Sequence, residues 1–120
     1  MIENTLQKEP LRRGQRNQEA KADQGKARLM LVPRQILFDV ARIREYGNNK
    51  YHDPDNWKTV EPERYRDAMM RHMCAYLDDP KGVDEESGLP HLWHLACNVA
   101  FLCALEKDDF QQGGLIRCSE

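Results

Sequence analysis

A chain of 120 residues, 40% hydrophobic and 32% charged, is long enough for one domain that buries about 65% of its unfolded surface and too short for two. Its net charge of −2 lacks the basic excess that marks nucleic-acid binders or proteins drawn to anionic membranes, so neither partner is expected.

Residues 1–19 carry scattered charges of both signs and almost no apolar period, and read as a mobile polar arm. They contain no apolar h-region, which argues against a secretory signal. The following AKADQGKARLMLVP brings Lys21, Lys26 and Arg28 together with Asp23 and Gly25, then runs through Leu29–Val32 to a break at Pro33. This is a loop or short extended lead-in. Its Gly25-Lys26 lacks the spacing and the Ser/Thr of a phosphate-binding P-loop.

Beyond Arg34, Ile36, Leu37, Val40, Ala41 and Ile43 recur at helical spacing, which predicts a first helix stopping at Gly47. Asn48–Trp57, rich in Asn, Asp and Pro, predicts a turn-rich loop. Pro62 suits a first helical turn, and Tyr65, Ala68, Met69, His72 and Tyr76 share one face of the second helix it opens. DDPKGVDEESG reads as a flexible acidic loop, after which Ser87 is placed to cap a third helix reaching about Lys107. Residues 108–120 read as a flexible tail. The expected architecture is all-α, a single helical domain over 20–107. Three main helices form a small bundle around a central helix that is apolar on every side, and burial of that helix against another copy suggests an oligomer.

From Leu89 to Leu105 the only residues that are not apolar are Pro90, His91, His94 and Asn98. Such a run is shorter than the roughly 20 residues of a membrane span and too polar for one. The spacing i, i+3, i+7 sets His91, His94 and Asn98 on one stripe. An unpaired amide or imidazole in an apolar interior costs about 1–3 kcal/mol, so something must satisfy all three. One account is a hydrogen-bond network within the core. The other is a site: His72 lies on the inward face of the second helix, and Asp84, Glu85 and Glu86 lie in the adjoining loop. Imidazoles and carboxylates converging from separate helices are what a divalent metal or a phosphate-handling site uses.

Lys21, Lys26, Arg28, Lys50 and Arg71 offer positive charge for an anionic ligand, or else form solvated basic loops. Tyr51 and Trp57 either stack on a base or pin their loop to the bundle. Cys74, Cys97, Cys103 and Cys118 form no CxxC pair. Three of them fall in buried helical patterns, the usage of small hydrophobes in a reducing, intracellular compartment.

KADQGKARLMLVP, YGNNKY followed by NW, RYRDAMMRHMCAY and above all DEESGLPHLWHLACNVAFL resemble the phage and prophage dATP/dGTP diphosphohydrolase N-terminal domain, over about Lys21 to Glu106. The resemblance implies phage nucleotide metabolism in the bacterial host cytoplasm, with release of pyrophosphate from a purine deoxynucleoside triphosphate. It maps shared polar positions onto Lys21, Asp23, Gly25, Lys26, Arg28, Lys50, Tyr51, Asn56, Trp57, Arg71, His72, Glu86, Ser87, His91, His94 and Asn98. The resemblance assigns these positions no individual roles; the converging imidazoles and carboxylates themselves lead to the expectation that Glu86, His91 and His94, with His72, hold a catalytic divalent ion, Mg or Mn. Lys21, Asp23, Lys26, Arg28, Lys50, Tyr51, Asn56, Trp57, Arg71 and Asn98 are expected to receive the nucleotide.

One departure stands out. All-α nucleotide pyrophosphatases hold magnesium with paired ExxE and ExxD carboxylates, and this chain has no ExxE and only Glu106 to Asp109 as an ExxD. That keeps open a non-catalytic protein that binds nucleotides or sequesters a nucleotide signal, an atypical nucleotide kinase, and a purely structural interaction protein.

Overall fold

The computed structural model describes residues 22–113. The arm expected over residues 1–19, Lys21, Cys118 and the tail beyond Gly113 lie outside them. Among the described residues the fold is all-α: α1 (Gln35–Tyr51), α2 (Pro62–Asp78) and α3 (His91–Leu105), with 3-10 turns at Leu29–Leu31, Asn56–Thr59 and Lys107–Gly113. The last of these turns occupies sequence read as a frayed tail.

α1 runs one turn past Gly47. It ends where His52 adopts a left-handed conformation, φ 58°, and donates its backbone N–H to Asn48 O at 2.7 Å. A mid-helix glycine costs about 1 kcal/mol relative to alanine. The extra turn carries compensation that local sequence does not reveal: Lys50 complements the helix dipole, and Tyr46 and Lys50 both donate to the Glu86 carboxylate from across the molecule. Pro54, two residues past the cap, completes the stop.

α2 starts with Pro62 at its first position and Glu63 in its first turn, both favourable at a helix N-terminus. It ends before Pro80, which disfavours helical backbone at Asp79; Asp79 sits at φ −149°, ψ 96°.

The loop from Pro80 to Pro90 is knitted rather than loose. Val83 pairs with Pro90 in an isolated antiparallel bridge, Asp84 N–H donates to Leu89 O at 2.8 Å, and His91 N–H donates to Gly82 O at 3.1 Å. Asp84 Oδ2 accepts from Ser87 N–H at 2.9 Å, and Ser87 Oγ accepts from Leu89 N–H at 3.1 Å. Such Asp and Ser turns, with Gly88 at φ +73°, are how a polar loop acquires one shape. Ser87 therefore shapes this loop, and Pro90 takes the N-cap position of α3 instead.

α3 packs on both other helices, as its apolar character predicts. Ile43, Cys97 and Leu102 are buried, together with Asn98. Leu92, Val99 and Cys103 remain exposed on the side of α3 away from its neighbours, and Cys74 of α2 is exposed too. Of the three cysteines read as buried, only Cys97 is. Leu29–Val32 and Ile36–Phe38 also present their side chains to solvent.

Candidate functional site

The three helices enclose an open pocket of about 670 Å³. α1 contributes Arg44, Tyr46, Gly47, Lys50 and Tyr51; the following loop contributes Asp53, Asn56 and Trp57. Arg64, Tyr65, Ala68, Arg71 and His72 come from α2, and His94, Cys97, Asn98 and Phe101 from α3. Each set repeats at three- and four-residue intervals, so the pocket is where one stripe of each helix meets the others.

Its aromatic part is preassembled. Trp57 stacks on Phe101 with centroids 5.0 Å apart at 16°, and Tyr65 packs on the same ring at 4.8 Å. The Tyr65 hydroxyl donates to Trp57 O at 2.8 Å. The Arg44 guanidinium lies 5.3 Å from the Phe101 centroid while donating to Pro54 O at 2.6 Å. Trp57 thus anchors its loop and lines the pocket at once. Tyr51 stays mostly exposed, with Lys50 Nζ 5.3 Å from its ring.

Three imidazoles gather beyond it. His72 Nδ1 lies 2.9 Å from His91 Nδ1, and the His72 ring stacks on His94 at 4.6 Å and 9°. The His94 Nε2 atom pairs with Ser87 Oγ at 2.7 Å and lies 3.9 Å from Asp84 Oδ2. Hydroxyl and carboxylate approach the same ring nitrogen, so these three residues do not form a Ser-His-Asp relay, which needs them on opposite nitrogens. Burial lowers the pKa of His72, and the neighbouring His94 and His91 lower it further. Burial also lowers His94, against the opposing pull of Asp84. Burial would raise Asp84, but hydrogen bonds from Ser87 together with the nearby His94 and His72 hold the carboxyl below its ordinary value.

His72, Asp84 and His91 each offer a ligand atom within 4.8 Å of one another. Glu86, expected among the metal ligands, is engaged elsewhere. Its carboxylate accepts from Lys50 and from the Tyr46 hydroxyl, in that order the causes that hold its pKa down. His94 buttresses the trio by stacking instead of joining it. Asn98, 8% exposed, donates from Nδ2 to His94 O at 2.8 Å, a bond within its own helix and not to a facing one.

Of the expected nucleotide contacts, Lys50, Tyr51, Asn56, Trp57, Arg71 and Asn98 line the pocket, while Asp23, Lys26 and Arg28 sit exposed in the lead-in and do not. Arg44, Tyr46, Arg64, Tyr65 and Phe101 are pocket residues that sequence reasoning passed over. A signal existed for three of them: Tyr65 shares the face of α2 that carries His72, Phe101 continues the His94–Asn98 stripe by one more step, and Tyr46 shares a face with Lys50 once α1 runs past Gly47. Glu106, the acid of the lone ExxD, is paired with Arg66.

No solved structure matches the chain. A dATP/dGTP diphosphohydrolase of Salmonella phage PMBT28 is 38% identical over 82 residues, which are 68% of this chain and 28% of that protein. The chain thus spans under a third of the length of the curated relative it matches. The family model described as dATP/dGTP diphosphohydrolase, N-terminal, matches residues 16–113, and the chain belongs to that family.

Proposed function

We propose that this domain binds a purine deoxynucleoside triphosphate in the three-helix pocket and takes part in its hydrolysis to monophosphate and pyrophosphate, in the cytoplasm of a phage host. The observation that carries the reading is one cavity, of a size usual for small-molecule sites, lined by an aromatic wall, four cationic side chains, and His72, His94 and Asp84, with His91 bonded to His72 just behind them. Arg44, Lys50, Arg64 and Arg71 would neutralise the phosphates. Tyr51 and the Trp57–Phe101 wall would receive the base, and Asn56 and Asn98 would fix its orientation. A divalent ion, expected as Mg or Mn, would polarise a phosphoryl oxygen and lower the pKa of the attacking water. His72, Asp84 and His91 offer a divalent ion its donors, and the two imidazoles among them favour a first-row transition metal over Mg²⁺. The name of the phage relative supports the same chemistry. Oligomerisation is proposed too, supported by the exposed apolar side chains from Leu29 to Phe38.

Incubation with each dNTP and Mg²⁺ or Mn²⁺, followed by separation of products, is expected to yield dAMP or dGMP and pyrophosphate. No turnover with any metal overturns the hydrolytic reading. A second reading, a domain that binds nucleotide without cleaving it, is favoured by the missing ExxE. Tight binding that survives chelator, with the ligand recovered unaltered, would establish it.

A further inference from the structure

We propose that His72, Asp84 and His91 form a site for a first-row transition-metal ion, bound in preference to Mg²⁺. The inference places the ion of the hydrolytic reading, but metal binding stands whether or not the pocket hydrolyses anything.

The argument begins with donor chemistry. Mg²⁺ selects oxygen donors and retains several waters, whereas imidazole nitrogen suits Zn²⁺, Ni²⁺ and their row. Here two of the three donors are imidazoles. Two nitrogens on adjacent corners of an octahedral ion with bonds of ~2.1 Å stand about 3.0 Å apart, and on a tetrahedral one about 3.4 Å. The facing Nδ1 atoms of His72 and His91 are 2.9 Å apart, already at ligand spacing.

Supporting contacts hold the donors in place, as outer-shell groups do in metal sites. His94 stacks flat on His72. Ser87 N–H donates to Asp84 Oδ2 at 2.9 Å and so fixes the carboxylate. Gly82 accepts the His91 backbone N–H, and a Cβ built at Gly82 would lie 3.4 Å from the His91 ring and 3.1 Å from Asp79 O.

The rival explanation is an ordinary hydrogen bond between two neutral imidazoles, with no ion involved. Untagged full-length protein is titrated with Co²⁺, following its visible absorption and, by equilibrium dialysis, its stoichiometry. One Co²⁺ per chain is expected, displaced by Zn²⁺ but not by a roughly 100-fold excess of Mg²⁺. His72→Ala and His91→Ala should each weaken binding by more than the roughly 10–100-fold typical of outer-shell changes, while His52→Ala leaves it intact. X-ray absorption of the Co²⁺-loaded wild type, which requires no variant to fold, should count two imidazole ligands. Absence of stoichiometric binding, displacement by Mg²⁺, or a spectrum without imidazole ligands overturns the proposal. A wild type that binds Co²⁺ in this way yet hydrolyses no dNTP supports it and sinks the hydrolytic reading alone.

Discussion

At the residue scale, polar groups inside this small bundle are each explained by a partner. Asn98 bonds back along its helix, Glu86 ties the α2–α3 loop to the last turn of α1, and His94 lies between Ser87 and His72. Cys97 behaves as a hydrophobe: 2% exposed, with burial pushing its thiol up from 9.0 to about 11. Thiolate is the reactive form, so that shift alone suppresses its reactivity on the order of 100-fold. Peptide-mapped alkylation with iodoacetamide at pH 8 is expected to modify Cys74 and Cys103 quickly and Cys97 only after unfolding in urea. Equal labelling of Cys97 in the native protein would contradict the packing of α3 described above.

At the scale of elements, α1 shows where local rules give way. Gly47 reads as a stop, yet its neighbours Tyr46 and Lys50 are held across the molecule by Glu86, and the helix continues to Tyr51. A Cβ at Gly47 would meet only the end of the Arg44 side chain, at 3.9 Å. Gly47→Ala is therefore expected to stabilise the fold by about 0.5–1 kcal/mol, seen as a rise of several degrees in Tm by differential scanning fluorimetry. A fall in Tm would mean that the helix does not pass through this position. The loop before α3 teaches the complementary lesson: its acidic composition suggested flexibility, but Asp84, Ser87 and Gly88 are turn formers in register, and they close it on itself.

At the scale of the whole molecule, few residues are deeply buried among those described, so stability rests partly on the polar cluster and should track its protonation. His72 and His94 have folded pKa values below 6.5. Once the pH falls beneath that value the unfolded chain binds more protons than the folded one, and stability declines. Asp84 and Glu86, also lowered, contribute stability above their ordinary carboxylate values that is lost as the pH falls through their folded ones. With chelator present, Tm is expected to hold from pH 8 to 7 and to drop progressively below about 6.5. Replacing His72 and His94 by Gln should flatten the first part of that decline. A Tm that rises on acidification through this window would refute the burial assigned to the two rings. Among the described residues no helix is long and apolar enough to cross a membrane, in keeping with the polar residues of α3.

How much of this was legible beforehand follows from the range of the interactions involved. Helical periodicity, Pro62 at a helix start and the His91–His94–Asn98 stripe are set within one or two turns of chain, so an all-α chain with histidines on inward faces is readable from local pattern. Family membership was legible in the same way, through the ESGLPHLWHLACN stretch. Which groups meet is a matter of contacts between residues 19 to 40 positions apart: His72 with His91, Tyr46 and Lys50 with Glu86, Arg66 with Glu106. No local pattern encodes these. Contacts across the bundle therefore bring Asp84 rather than Glu86 to the imidazoles, keep Arg28 out of the pocket that Arg44 enters, and carry α1 past its glycine. In the case of the glycine, packing and charge pairing across the bundle outweighed a local preference of about 1 kcal/mol.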